Sequence, residues 1–287
     1  RPPISMPMSD GGRTAEPVRL RGMLGFLGCG NMGVAILDGL LASGRARSTQ
    51  VIVYETDAER ADAVAHRGAA LAVTPAELAA QCDTLLLAVK PQVMAEAVAP
   101  MREGLRGDTL VVSIAAGLTL ARLREMLAGH ARLVRVMPNT PSLVGYGAAG
   151  FACGPGCTAA DAATVRNIFE AVGIVEAVDE PQLDALTALS GSGPAYFFRV
   201  AECLIEAAVA EGLPRAAAER LAAQTVLGAG ALLVESGEDA ATLRARVTSP
   251  GGTTQAALET FEAHGLPGVL AAGVQAAAAR SRDLAGG

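Results

Sequence analysis

The chain has 287 residues, of which 51% are hydrophobic and 18% charged, and its net charge is −6. This length allows two domains, and the apolar fraction is sufficient to bury a core. The acidic balance, the absence of Trp and the 3% of aromatic residues argue against a nucleic-acid binder, and no apolar stretch is long enough for a transmembrane helix.

The cysteines are odd in number and scattered through apolar sequence: Cys29, Cys82, Cys153, Cys157 and Cys203. This pattern indicates reduced thiols and a cytoplasmic protein rather than a secreted disulfide framework. No metal site is predicted, because none of the three histidines lies close in sequence to the pair Cys153 and Cys157.

The first 22 residues are polar and rich in Pro and Gly, without the apolar segment of a signal peptide. We expect residues 1–22 to be a disordered leader or residues foreign to the natural chain.

From Met23 onward, apolar strand patterns alternate with helical periodicity. The predicted strands are 23–28, 51–55, 70–73, 83–89, 109–115, 132–137 and 174–178. The predicted helices are 31–44, 57–67, 75–81, 93–103, 119–128 and 159–172, and the glycine-rich passage 145–156 is left as loop. Strands separated by helices of this length predict an α/β Rossmann domain, with a doubly wound parallel sheet, over residues 23–179.

Residues 180–287 carry only helical patterns. The predicted helices are 181–188, 194–211, 215–235, 239–246, 253–263 and 267–283. Their Ala, Leu and Val residues cover more than one face, which favours burial against a partner chain over a monomer that buries them internally. We therefore expect an all-α dimerisation domain here.

A glycine-rich loop follows the first predicted strand directly. The sequence GFLGCGNMG places Gly28, Gly30 and Gly33 in the spacing GxGxxG, between a strand and a helix. In this context Gly28 allows a tight turn, Gly30 lets a diphosphate approach the backbone, and Gly33 lets helix and strand pack closely. With Asn31 and Met32 between the last two glycines, this loop is predicted to bind NADH or NADPH over the helix N-terminus.

Glu55 ends the second predicted strand, where a carboxylate accepts hydrogen bonds from the adenosine ribose and repels a 2′-phosphate. Glu55 therefore favours NADH, whereas Arg60, a few residues further on, is able to reach a 2′-phosphate.

Three further strand ends carry small or special residues. Since ligands bind outside the carboxyl ends of parallel strands, these positions are predicted to line the cofactor cleft. They are Ala88, Val89, Lys90, Pro91, Ala115, Ala116, Gly117 and Asn139. Lys90 is the only lysine of the chain. The alternative is that each segment is only a turn between a strand and a helix.

The segment VTSPGGTT, residues 247–254, precedes a predicted helix far from the glycine loop. Two glycines and several hydroxyl groups at a helix N-terminus are suited to an anion. The alternative is a well-capped helix that binds no ligand.

The chain strongly resembles the pyrroline-5-carboxylate reductase family from Met23 to its C-terminus. The resemblance rests on seven segments in the same order: GFLGCGNMG, AVKP, VVSIAAG, RVMPNTP, LSGSGPAYFF, GLPR and VTSPGGTT. It implies reduction of the C=N bond of 1-pyrroline-5-carboxylate by NAD(P)H, giving L-proline. It also implies a homodimer formed through the helical domain, often assembled into a decamer.

The resemblance assigns the turn before helix 253–263 to the substrate carboxylate, which would contact Ser249, Gly251, Gly252 and Thr253. The physical argument agrees, because exposed glycine N–H groups, hydroxyl donors and the helix dipole all favour an anion. By resemblance, Thr254 bonds the ring nitrogen and is the catalytic residue.

The resemblance also places Glu180 near the substrate, where its charge would favour the cationic iminium. A plain acidic residue at a helix N-terminus is an equal alternative for Glu180.

Three other functions remain open from the sequence. One is reduction of a related cyclic imine acid. A second is a β-hydroxyacid dehydrogenase-like enzyme. Such enzymes place a catalytic Lys on the first long helix after the domain junction, and the absence of Lys from 194–211 argues against this alternative. The third is a dinucleotide-sensing protein without turnover.

Overall fold

The computed structural model describes residues 18–286, which divide into two compact units. The first unit contains residues 18–191 together with 278–286, and the second contains 192–277. None of the helices in the described part combines the length and apolar character needed to span a bilayer.

One eight-stranded sheet runs through the first unit. Its strands are β1 (Leu24–Leu27), β2 (Val51–Tyr54), β3 (Ala70–Leu71), β4 (Thr84–Leu87), β5 (Leu110–Ser113), β6 (Leu133–Met137), β7 (Gly147–Cys153) and β8 (Gly173–Ala177). The order is β3-β2-β1-β4-β5-β6-β7-β8, and the first six strands are parallel. The predicted Rossmann fold is confirmed.

Six α-helices of the first unit lie between these strands along the chain, and a short seventh follows β8. They are α1 (Asn31–Ala42), α2 (Ala58–Ala65), α3 (Pro75–Gln81), α4 (Met94–Val98), α5 (Leu120–Met126), α6 (Ala159–Phe169) and the short α7 (Leu183–Leu186). Successive residues of each strand point to opposite faces, and in the central strands β1, β4 and β5 both faces are buried. Phe26 and Leu86 lie in the cluster with α1 and α6, whereas Leu85 and Leu87 lie in the cluster with α3, α4 and α5. Two-sided burial explains the unbroken apolar runs of the sequence.

Strand β7 was missed by the sequence analysis. Residues 147–153 lie inside the glycine-rich passage that we expected to be loop, and they pair antiparallel with β6, from Val134 opposite Cys153 to Met137 opposite Gly150. Strand β8 then pairs parallel with β7. The sequence GAAGFAC has few of the β-branched residues typical of strands, so its pairing partner, rather than its own propensity, makes it a strand.

The predicted helix 93–103 is also different in the structure. Helix α4 ends at Val98 and a 3₁₀ turn follows over Ala99–Glu103. Pro100 lacks an N–H to donate to the carbonyl four residues earlier, which explains the early end.

The helices α8 (Gly193–Ala210), α9 (Arg215–Glu235), α10 (Ala240–Arg246), α11 (Thr253–Ala263) and α12 (Leu266–Gly286) make up the rest of the chain. The second unit holds α8 to α11 and the first part of α12. Among residues 192–277, only Gly193 and Ala218 are buried. This unit therefore has almost no apolar core within one chain.

The boundary between the compact units lies after residue 191, whereas the sequence predicts a boundary at 179/180. Leu183 lies in the core of the first unit, Leu186 contacts the backbone of Gly150, and the unit continues to residue 191. At the other end, Leu20 is buried and donates its N–H to the carbonyl of Arg45 (2.8 Å). Residues 18–22 are thus part of the first unit, and the rest of the expected leader lies outside the described residues.

Candidate active site

The carboxyl ends of β1 and β4 meet at the point where the strand order reverses. These two strands are neighbours, with Leu27 opposite Leu87, and the chain continues from them toward opposite edges of the sheet. The N–H of Ala88 donates to the carbonyl of Leu27 (2.9 Å), so the loops after both strands begin side by side. Open α/β sheets bind their ligands at such a point.

The glycine loop starts with Gly28 in the left-handed conformation, at φ +78°. A Cβ at this position would lie 2.6 Å from Cγ1 of Val89, in the loop after β4. The N–H of Gly28 donates to the carbonyl of Tyr54 (2.8 Å), which ties the turn to β2. Both the backbone conformation and the space therefore require glycine here.

Helix α1 begins directly after this turn without a side-chain cap. Its N-cap is Gly30, and its first turn contains no acidic residue. The N–H groups of Asn31, Met32 and Gly33 point out of the helix start, because the first N–H groups of a helix have no partner inside it. A Cβ at Gly30 would meet no atom within 4 Å, so the space beside it is open. These features fit a diphosphate.

Gly33 differs from its predicted role. A Cβ there would lie 3.4 Å from Sγ of Cys29 and 3.6 Å from Cβ of Ala88, which are ordinary contacts. The packing of α1 on the sheet in this structure therefore does not depend on the missing side chain at Gly33.

Glu55 lies at the end of β2 and organises the glycine loop. Its Oε2 accepts a hydrogen bond from the N–H of Cys29 (2.8 Å). Its Oε1 accepts from the N–H groups of Thr56 (2.9 Å) and Asp57 (3.0 Å). Asp57 in turn caps α2 by accepting from the N–H of Arg60 (3.0 Å). Two carboxylates thus occupy N–H groups at the turn where a 2′-phosphate would need donors.

The loops after β4 and β5 contain the other predicted cofactor residues. Lys90 is exposed and precedes a 3₁₀ turn that starts at Pro91. Ala115 is buried and donates its N–H to Oγ of Ser113 (3.3 Å), whereas Ala116 is exposed.

Gly117 closes the β5 loop against the end of α12. It has φ +74°, and a Cβ there would lie 3.3 Å from both Cβ and the carbonyl oxygen of Leu284. The last turns of α12 thus pack against a predicted cofactor loop.

Asn139 is buried after β6, and both ends of its amide bind backbone. Its Nδ2 donates to the carbonyl of Ser190 (2.9 Å), and its Oδ1 accepts from the N–H of Ala148 (2.9 Å). Ser190 lies in a π-helical turn, Thr187–Gly191. The side chain of Asn139 therefore joins the start of β7 to this π-helical turn.

Glu180 lies beside the start of α5. Its Oε1 accepts from the N–H of Leu120 (2.7 Å) and lies 3.4 Å from Nη1 of Arg135, a β6 side chain that is only 4% exposed. A buried guanidinium requires such a partner. Glu180 also lines an open cavity of about 670 Å³ along α5, together with Arg124.

The turn before α11, in the second unit, differs in detail from the prediction. Gly251 has φ +70°, but its N–H donates to Oε1 of Gln255 (2.7 Å). The N–H of Gly252 donates to the carbonyl of Ser249 (3.0 Å). The turn closes on itself, so the two glycine N–H groups that we expected to be exposed are already bonded.

Helix α11 nevertheless begins as an anion site would. Gly252 is its N-cap, no side chain caps it, and no acidic residue lies in its first turn. The first helical N–H groups, at Thr253 and Thr254, therefore replace those of the glycines as the donors that face outward. Ser249 and Thr253 are exposed, and Thr254 is half-buried.

Two functional candidates were missed by the sequence analysis, Arg135 and Gln255. An arginine inside the apolar run of β6 was a signal for Arg135, because a buried charge needs a partner. Gln255 had no such signal, since only the folded turn brings its side chain back to Gly251.

Cys29, in the glycine loop, is fully buried, and burial raises the pKa of its thiol to about 12. Cys82 precedes β4, at the opposite end of the strands, and burial raises the pKa of its thiol to about 12 as well. The carboxylate of Glu55 adds to this shift of the pKa of Cys29. Within residues 18–286, no three His, Cys, Asp or Glu side chains converge into a group that could hold a metal ion.

A glycine loop at the switch point of a Rossmann sheet defines a dinucleotide-binding protein, and the family models place the chain among the NAD(P)H-dependent oxidoreductases. Two family models match the chain: "NADP oxidoreductase coenzyme F420-dependent" over residues 23–117, and "Pyrroline-5-carboxylate reductase dimerisation" over residues 180–284. The chain is 41% identical to pyrroline-5-carboxylate reductase of Escherichia coli over 84% of its length and 90% of that protein. For the enzyme of Arabidopsis thaliana these values are 40%, 91% and 95%. The chain belongs to the pyrroline-5-carboxylate reductase family, which confirms the resemblance.

Solved structures agree with this assignment. A pyrroline-5-carboxylate reductase from Coxiella burnetii superposes with a TM-score of 0.88 at 34% identity, covering 92% of this chain and 99% of that one. The enzyme from Plasmodium falciparum, solved with NADP bound, gives 0.81 at 30% identity, covering 93% and 99%. With the dimerisation model over 180–284, self-association through the helical unit follows. The β-hydroxyacid dehydrogenase-like and non-catalytic alternatives are not favoured.

Proposed function

We propose that this chain reduces the C=N bond of 1-pyrroline-5-carboxylate with NAD(P)H and releases L-proline. The observation that carries the proposal is that this chain, a member of the family, contains two helix starts suited to anions, one for the cofactor and one for the substrate. The first is an uncapped helix start beside a glycine loop, and the second is an uncapped helix start beside a threonine pair.

The first unit binds the dinucleotide. Gly28, Gly30 and the helix start at Asn31, Met32 and Gly33 would hold the diphosphate, because this is the region of open space and outward N–H groups. The loops 88–91 and 115–117 and the backbone around Asn139 would line the remainder of the cleft. When bound, the reduced nicotinamide supplies the hydride that adds to C5 of the substrate ring.

Glu55 tilts the cofactor preference toward NADH. A ribose hydroxyl is able to donate to a lone pair that the three backbone N–H groups leave on this carboxylate, whereas a 2′-phosphate would face its negative charge. Asp57 adds a second negative charge at the start of α2.

The turn before α11 binds the substrate carboxylate. The N–H groups of Thr253 and Thr254 and the hydroxyls of Ser249 and Thr253 would be the donors, and the dipole of α11 adds to them. Gly251 and Gly252 shape this turn, because their N–H groups are bonded within it.

Thr254 acts on the ring nitrogen. Its hydroxyl would hydrogen-bond that atom as hydride adds to C5. The nitrogen must gain one proton per turnover, and a threonine hydroxyl is a poor acid at neutral pH, so the proton comes from solvent or arrives with the substrate as the iminium.

Glu180 has a positioning role in this proposal. It binds the N–H of Leu120 and the buried Arg135, so its charge fixes the start of α5, directly after the loop 115–117. This geometry favours the structural alternative for Glu180 over a direct contact with the iminium.

The assembly is a homodimer formed by the helical units, extended to a decamer, and the protein acts in the cytoplasm. Support comes from the dimerisation model and from the exposed apolar side chains of α8 and α9. Light scattering of the purified chain measures the size directly, and a pure monomer at micromolar concentration would contradict the proposal.

The first experiment measures initial rates with 1-pyrroline-5-carboxylate, once with NADH and once with NADPH. We expect turnover with both cofactors and a higher kcat/KM with NADH. A six-membered cyclic imine acid is the matched comparison substrate. Folded protein that binds cofactor but turns over neither imine would contradict the proposed function.

A further inference from the structure

The side chain of Gln255 ties the turn before α11 to the helix itself. Its Oε1 accepts a hydrogen bond from the N–H of Gly251 (2.7 Å), a residue in the left-handed conformation at φ +70°. Its Nε2 donates to Oε1 of Glu259 (2.7 Å), one helical turn further along. The amide therefore meets an N–H donor at one end and a carboxylate at the other, and only one orientation of the amide satisfies both.

Gln255 is the third residue of α11, the position from which a glutamine or glutamate completes a capping box. In a full capping box, a Ser or Thr at the N-cap also bonds the N–H of this third residue. Here the N-cap is Gly252, which has no side chain, so only the half of the box that leads back to the turn is present. Gln255 thus closes the turn without occupying the N–H groups of Thr253 and Thr254, which stay available to an anion.

The neutral charge of Gln255 matters at this position. A glutamate would accept the same hydrogen bond, and the helix dipole would favour it. Its negative charge would, however, lie beside the helix start that we assign to the substrate carboxylate, and like charges repel. Glutamine supplies the acceptor without the charge, and the carboxylate that orients it, Glu259, lies one turn further from the helix start.

We propose that Gln255 is a positioning residue that sets the affinity of the start of α11 for the substrate carboxylate. It holds Gly251 in the left-handed turn that leads into the uncapped helix start, and its neutral amide does not oppose the charge of the ligand. The inference rests on the proposed function, because it takes this turn as the carboxylate site. Cofactor binding at the glycine loop of the first unit does not depend on Gln255.

The first test removes the acceptor and retains most of the side-chain volume. Gln255→Met has a side chain of similar length without the amide. The KM for 1-pyrroline-5-carboxylate should rise about fivefold, which corresponds to the loss of one hydrogen bond, while kcat and the KM for NADH stay unchanged. Initial rates of the full-length protein measure all three. A variant that merely loses folded protein would lower the apparent kcat and leave both KM values as they are.

The second test exchanges two side chains of α11. The double variant Gln255→Glu with Glu259→Gln keeps the net charge of the chain, an acceptor for the N–H of Gly251 and a hydrogen-bonding pair at positions 255 and 259. Only the negative charge moves, by one turn toward the helix start. The KM for 1-pyrroline-5-carboxylate should rise roughly tenfold through charge repulsion. Because salt screens charges near the surface, this increase should shrink at high ionic strength.

Glu262→Gln is the matched control for the second test. It removes a negative charge from an exposed position of the same helix. We expect kcat and both KM values of this variant to equal those of the wild-type protein.

Three results would overturn the proposal. One is wild-type turnover of the imine together with an unchanged imine KM in Gln255→Met or in the exchange variant, which would remove the role of Gln255 and leave the proposed function intact. Another is a lower imine KM in Gln255→Met, because the glutamine would then compete with the substrate for the N–H of Gly251. The last is wild-type protein that binds cofactor but does not reduce the imine, which would overturn the proposed function and this inference with it.

Discussion

The two compact units of this chain bury their apolar side chains to very different extents. In the first unit, Phe26 and the strand residues around it are fully buried between layers of helices. In the second, α8 and α9 carry large apolar side chains, such as Phe197 and Leu232, that are 63% and 58% exposed. The first unit forms a complete hydrophobic core within one chain, whereas the second unit has apolar side chains that one chain leaves exposed.

This difference indicates that the helical unit buries its apolar side chains by associating with another chain. Large apolar side chains exposed in such number along two helices are typical of an interface with another chain. The dimerisation model matched over 180–284 identifies its partner as a second copy. The hydrophobic core of the first unit is therefore formed by one chain, whereas burial of the apolar side chains of the helical unit requires two.

We expect the largest effect from a substitution in the core of the first unit. Phe26→Ala should reduce the free energy of unfolding by about 3–5 kcal/mol, because it leaves a cavity between the sheet and α1. Urea denaturation monitored by circular dichroism measures this loss. It should be the same at every protein concentration, and a loss that grows on dilution would contradict a self-sufficient first unit.

We expect the next largest effect from a substitution on the exposed apolar face of the helical unit. Leu232→Glu should weaken the dimer by at least about 3 kcal/mol, or roughly a hundredfold in dissociation constant, because two copies of the leucine lose their burial. Sedimentation velocity across a dilution series measures it. Val73→Glu is the matched control, since Val73 is 83% exposed on the first unit. Equal weakening by both variants would refute the assignment of the interface to α9.

Thr254→Val sharpens the comparison in the substrate half. The variant keeps the shape but loses the hydroxyl, so kcat should fall roughly tenfold while the KM for NADH stays unchanged. Thr253→Val is the neighbouring control and should raise the KM for 1-pyrroline-5-carboxylate instead. Steady-state kinetics that show unchanged kcat for Thr254→Val would remove this hydroxyl from the mechanism.

Glu55→Gln sharpens the comparison in the cofactor half. Glutamine retains an acceptor for the N–H of Cys29 but removes the negative charge, so kcat/KM for NADPH relative to NADH should rise roughly fivefold. The KM for the imine should not move. Glu59→Gln, on the exposed start of α2, is the control, and an equal ratio in all three proteins would show that Glu55 does not face the ribose.

Much of the fold was predictable because local pattern and tertiary structure agree. Helices α3, α9 and α11 have the predicted bounds, and Thr74 before Pro75 is a helix start that the sequence itself encodes. Strand β7 was not predictable, because its small residues become a strand only beside β6. In the candidate site, the positions of the loops were predictable but their hydrogen bonds were not.

The sequence by itself determined the alternation of strands and helices apart from β7, the glycine loop, the helical second half and the family. These features depend on periodicity, turn residues and short motifs, which act over a few neighbours along the chain. Only the tertiary structure decided that Glu55 accepts a hydrogen bond from the N–H of Cys29, that Gln255 accepts one from the N–H of Gly251, and that Arg135 pairs with Glu180. Two of these contacts join residues far apart in sequence, and the third needs a side chain that folds back on its own turn. Their geometry therefore exists only once the backbone around them has folded.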